Sequence, residues 1–198
     1  MDWHILALGF HLLGFAVGVG GATISDIMFF KALKKRLLSN EHFGFLRVLS
    51  NTVWIGLIIL IISGLAMFAL IYAEQGNLPM LASPRWQTKL TLVAIVAANG
   101  FFFMSKIFPA LRSLVGQQLN LANVGPLIGR LSFSGTVSIV SWYGILIVSL
   151  LPRSFRPPYW QFMGVYLFLI VCGIIVSRYM IAKTVADVAN KSINNTIK

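Results

Sequence analysis

Two histidines are the first residues with chemistry to offer. His4 and His11 stand seven residues apart in one apolar run. At 3.6 residues per turn that is about two turns, so both imidazoles leave the same helix face roughly 10 Å apart in height. An ionisable side chain inside an apolar span is costly unless it has a partner or a task. For His11, the deeper of the two, a neutral imidazole has two uses. It can hydrogen-bond to a neighbouring helix, or it can serve as an axial ligand to haem iron inside a helical bundle. His4 and His11 together are also candidate metal ligands, because imidazole suits copper and zinc. The methionines that would complete a soft copper set, Met67, Met80, Met104, Met163 and Met180, are scattered along the chain.

Downstream of His11 the run reads Gly14-x-x-x-Gly18-x-Gly20-Gly21, a smooth face that admits a second helix or a flat ring. Packing is the weightier use of Gly14, Gly18 and Gly21. Lys89, beside Trp86, either snorkels to the headgroup region or reaches His11 in the same leaflet. Asp26 and Lys106 fall at similar depths near the same ends of their spans, which predicts a structural ion pair. Asn99, Trp142 and Tyr143 put polar atoms into apolar spans and predict hydrogen bonds between helices. His42, next to Glu41, reads as a solvated loop residue. Cys172 is the single cysteine; it excludes an intramolecular disulfide or a CxxC site and predicts a small buried core residue. HExxH, P-loop, GxSxG and dinucleotide fingerprints are absent, which removes the hydrolase, zincin and nucleotide-driven classes that depend on them.

The elements that must position these residues follow from composition. Of 198 residues, 58% are hydrophobic and 11% charged, against roughly a quarter charged in soluble chains. The expectation is an all-α integral membrane protein: a single domain, 1–198, forming a bundle of five transmembrane helices at about 3–33, 48–73, 86–111, 131–151 and 161–181. Pro109 marks the end of the third, the stretch from Arg112 to Arg130 is a polar connection, and three prolines between 152 and 158 make a turn. The tail from Val185 extends the last helix. Without a basic n-region ahead of the first apolar run, no cleaved leader is expected.

The net charge is +11. Twelve of the 16 lysines and arginines fall on one side of the alternating spans and four on the other, so the positive-inside rule puts the N-terminus outside and the C-terminus in the cytoplasm of a cell inner membrane. Trp3, Trp86, Tyr159 and Trp160 sit at the outer helix ends, as interfacial aromatics do. Basic residues spread through short loops, with no stripe of stacking aromatics, argue against nucleic acid as a partner. The expected partner is the lipid bilayer, with a homo-oligomer or a larger membrane complex as the further possibility.

The order His11-x9-Gly21, a basic turn, Ser63-Gly64 in the second helix and Trp86-Gln-Thr-Lys89-Leu opening the third resembles the copper-resistance D-like superfamily and the HemJ-type protoporphyrinogen oxidases over about residues 4–112. The resemblance implies a haem b around His11 and Lys89. This chain has its tryptophan three residues before the lysine where four are expected, Gln87 where a histidine is sought, and two further helices. The leading expectation is a haem-associated redox protein, with Gly14, Gly18 and Gly21 accepting the macrocycle. A small transporter or copper-handling protein, and a non-catalytic subunit of a larger complex, are the alternatives.

Overall fold

A computed structural model describes residues 2–196 except Arg36, Gln118, Asn120 and Arg153, with side chains described up to Val185 apart from Leu121. Among the charges counted for topology, Arg36, Arg153 and Lys198 lie outside the described residues, as does the side chain of Lys191.

Helix α1 spans Trp3–Lys35 and α2 spans Asn40–Gln75. The α2 start lies well before the expected Val48 because Ser39 caps it: its hydroxyl accepts from the His42 amide at 3.2 Å and lies 2.6 Å from His42 Nδ1. Such a cap satisfies an otherwise unpaired first-turn donor. His42 therefore belongs to the helix start and is half-buried, not a solvated loop residue. At the other end Gly76 adopts φ 67° and returns its amide to the Tyr72 carbonyl, a left-handed stop that glycine makes without strain.

After a short 3₁₀ turn at Pro79–Ala82, α3 runs Pro84–Phe102 and continues through a π-helical turn, Phe103–Ile107, into α4, Phe108–Ser113. Pro109 does not end this span. Proline lacks an amide hydrogen and crowds the carbonyl four residues back, and widening the preceding turn lets the chain pass it. Helix α5, Leu121–Leu150, begins about ten residues before the expected Leu131 and carries Pro126 in its second turn. Its first turns are helical because Val124 and Leu127 are buried against Leu33, Ile107, Leu111 and Ile181. Helix α6, Tyr159–Thr196, includes the tail.

Five helical stretches are long and apolar enough to cross a membrane: Trp3–Lys35, Asn40–Gln75, Pro84–Ser113, Ala122–Leu150 and Tyr159–Val185. Large apolar side chains such as Leu12, Ile62, Phe101, Phe168 and Ile175 point outward, the pattern of helices solvated by lipid. This is a multi-pass membrane protein, all-helical among the described residues. Half of the apolar window of α5 is buried, against about a fifth for each other span, so α5 is the central helix. It packs on α1, α3 and α6, while α1 packs chiefly on α2.

Candidate functional site

The glycine face of α1 is a helix-packing surface. A β-carbon on Gly14 would stand 2.7 Å from the Leu60 amide nitrogen and 2.8 Å from the Gly56 carbonyl oxygen of α2. One on Gly56 would stand 2.5 Å from the Gly18 nitrogen. Gly18 also carries the Trp142 indole, and Gly21 packs on Val53. Helices α2 and α5 thus fill the face expected to accept a macrocycle, and no open groove for a flat ring is left along it.

His11 lies between α1 and α2. Its Nδ1 is 3.2 Å from Ser63 Oγ, and that hydroxyl is 2.6 Å from the Ile59 carbonyl oxygen and 3.1 Å from that of Leu60. A hydroxyl has one hydrogen and a carbonyl only accepts, so Ser63 donates to the backbone and accepts from His11 Nδ1–H. The assigned tautomer leaves the lone pair on Nε2. Gly64 gives the ring room: a β-carbon there would be 3.4 Å from His11 Cε1.

His4 is not beside His11 in a shared donor set. Its Nε2 is 2.7 Å from Glu74 Oε1, a pair that ties the start of α1 to the end of α2. Among the described residues no three His, Cys, Asp or Glu side chains are gathered to hold a metal.

Lys89 is held by its neighbour Trp86, with Nζ 3.8 Å from the ring centroid, and Trp86 in turn packs on Phe68. The cleft that Lys89 lines does not include His11.

The expected Asp26–Lys106 ion pair is not formed. Lys106 falls in the π-helical turn, which regular 3.6-residue spacing does not foresee, and its side chain is exposed. His4 and Glu74 do form a salt bridge. Asp26 instead lines a half-open chamber of about 100 Å³ walled by α1, α2, α3 with its π turn, α4 and α5. Asn99 of α3 lines the same chamber, with Ser25, Ser50, Ser134 and Ser138. Asn99 is 9% exposed; its Nδ2 donates to the Ser134 carbonyl at 3.0 Å. Its Oδ1 and Asp26 Oδ2 are buried without a hydrogen-bond partner among the described residues. Oxygen acceptors in such a state are rare, because each forfeits its hydration for nothing. A volume of that size holds a few waters or a small hydrated ion.

Other polar groups behave differently. Tyr143 Oη lies 3.2 Å from Thr23 Oγ1, the interhelical bond expected of it. Trp142 is 1% exposed, and its Nε1 has no partner among the described residues. Cys172 is only half-buried on α6, short of the fully buried core position expected.

The serines of the chamber were legible and missed. Ser134 and Ser138 are four residues apart, hence on one face of α5. Comparison with protein-family models, curated proteins and solved structures gives no match.

Proposed function

We propose that this protein takes up a proton or a monovalent cation at the Asp26–Asn99 chamber and passes it through the bundle. The observation that carries the reading is a pair of buried acceptor oxygens, Asp26 Oδ2 and Asn99 Oδ1, that meet no donor among the described residues and belong to two residues lining one cavity. Carboxylate, amide and hydroxyl oxygens are hard donors, suited to a proton or a hard cation and not to copper(I). The chamber has one carboxylate, so a single positive charge neutralises it while a divalent ion would leave excess charge in a low-dielectric interior. The π-helical turn places Phe103 and Met104 in the chamber wall, and such turns often accompany functional sites.

The twelve-to-four distribution of basic residues supports an inner-membrane protein with its N-terminus outside and its C-terminus in the cytoplasm. The test is ion entry into proteoliposomes, followed with a pH-sensitive dye and with labelled sodium in separate arms. Asp26→Asn and Asn99→Ala abolish entry while Lys106→Gln retains it. Equal flux in all variants and in empty vesicles contradicts the reading.

A second reading, a haem b redox protein, is favoured by the orientation of His11. A ligating histidine is commonly fixed by a hydrogen bond from its other ring nitrogen, and Ser63 takes that role here. Haem iron would supply one-electron chemistry and Ser63 and Gly64 would orient the imidazole, while Gly14, Gly18 and Gly21, closed by α2 and α5, would not hold the ring. A Soret band in purified protein that disappears in His11→Ala supports it, and a featureless spectrum from haem-replete cells removes it.

A further inference from the structure

A second polar site lies away from the chamber, where α3 begins and α5 ends. A cleft of about 680 Å³ is lined there by Arg85 and Lys89 of α3, Ser149 and Leu151 of α5 and its end, and Arg156 of the following loop. Three cationic side chains from two separate chain segments thus share one cavity, and no carboxylate lines it among the described residues. Arg85 and Lys89 stand four residues apart on α3, about one turn, and so share one face of that helix.

Two of the cations are held in place. Arg85 donates to the carbonyls of Val148, Leu151 and Pro152, so it also caps the C-terminus of α5. Lys89 rests on the Trp86 ring. This fixes the charges in advance and leaves donors on both residues directed by the protein, a preorganisation that lowers the cost of binding. Lys89 lies in the second turn of an apolar helix whose start carries Trp86, the level of the membrane–water boundary. An anion reaching it therefore meets lipid on one side and water on the other.

We infer that this cleft binds a phosphate group, the anion that arginine and lysine clusters recognise through several charge-assisted hydrogen bonds at once. The phosphate can belong to an amphiphile, with its acyl chains lying along the bundle, or be free in solution. The inference is independent of the ion chamber, which shares no lining residue with the cleft.

Full-length protein in mild detergent is titrated with inorganic phosphate in one arm and with short-chain phosphatidylglycerol in another, zwitterionic phosphatidylcholine serving as the control. Binding is read by native mass spectrometry and by the shift in thermal unfolding. The variant is Lys89→Gln with Arg156→Gln, which leaves the Arg85 cap in place. The expected result is saturable binding of at least one phosphate source above the control, weakened roughly tenfold or more in the double variant. Binding of inorganic phosphate assigns the site to the free ion; binding of the lipid alone assigns it to a headgroup. No binding above phosphatidylcholine, or equal binding by a folded double variant, overturns the inference.

Discussion

Asp26 on α1 and Asn99 on α3 line one chamber, and each has a buried acceptor oxygen that meets no donor among the described residues. The neighbouring wall is α5, where the Ser134 carbonyl takes the Asn99 amide and Gly135 leaves space beside Asp26 Oδ1. Residues kept for function at the expense of packing are replaced with a gain in stability. Asp26→Asn, nearly the same shape without the charge, is expected to raise the thermal stability of the detergent-solubilised protein by about 1 kcal/mol or more. A variant that unfolds earlier than wild type shows the carboxylate to be structural.

The α1–α2 contact predicts an asymmetry among glycines. Gly56→Leu must push apart backbones already in contact at Gly14 and Gly18, and overpacking of this kind costs about 1–3 kcal/mol or more. Gly9→Ala, with open space around it, leaves stability unchanged. Thermal unfolding of the two variants side by side measures the difference.

Orientation is testable with single cysteines in a Cys172→Ser background. Asn77 and Gln117 are exposed and lie in successive connections on opposite sides of the third span. A membrane-impermeant thiol reagent applied to intact cells is expected to label Asn77→Cys and spare Gln117→Cys. The reverse pattern would invert the topology.

The His11 tautomer is a prediction for nitrogen NMR. With Ser63 accepting from Nδ1–H, the His11 Nε2 resonance is that of an unprotonated nitrogen, and Ser63→Ala removes the preference. A protonated Nε2 in the wild type contradicts the assignment and takes away the support it gives to an iron-binding role.

Hydropathy and charge revealed the number of membrane-crossing helices, because lipid tolerates long apolar runs of backbone only as helix. Helix ends were less legible. Ser39 and His42 cap α2 through a contact the residue types permit but do not demand, and buried Val124 and Leu127 draw residues usually read as a polar loop into α5. The proline at 109 misled most, since the π-helical turn that accommodates it also carries Lys106 out to the surface and away from Asp26. His11, Lys89 and the glycine stripe could be named from residue type alone. That the stripe is closed by Gly56 and Trp142, and that Asp26 and Asn99 share a chamber, depends on which helices are neighbours. That information is tertiary and has no local sequence signature.

The most direct test of the ion-uptake reading is the infrared difference spectrum of the reconstituted protein on exchange of pH or sodium, wild type beside Asp26→Asn. A carboxyl band that responds to the exchange in wild type and vanishes in Asp26→Asn is the predicted result. Identical difference spectra from the two proteins would show that Asp26 takes up no ion and would contradict the proposed function.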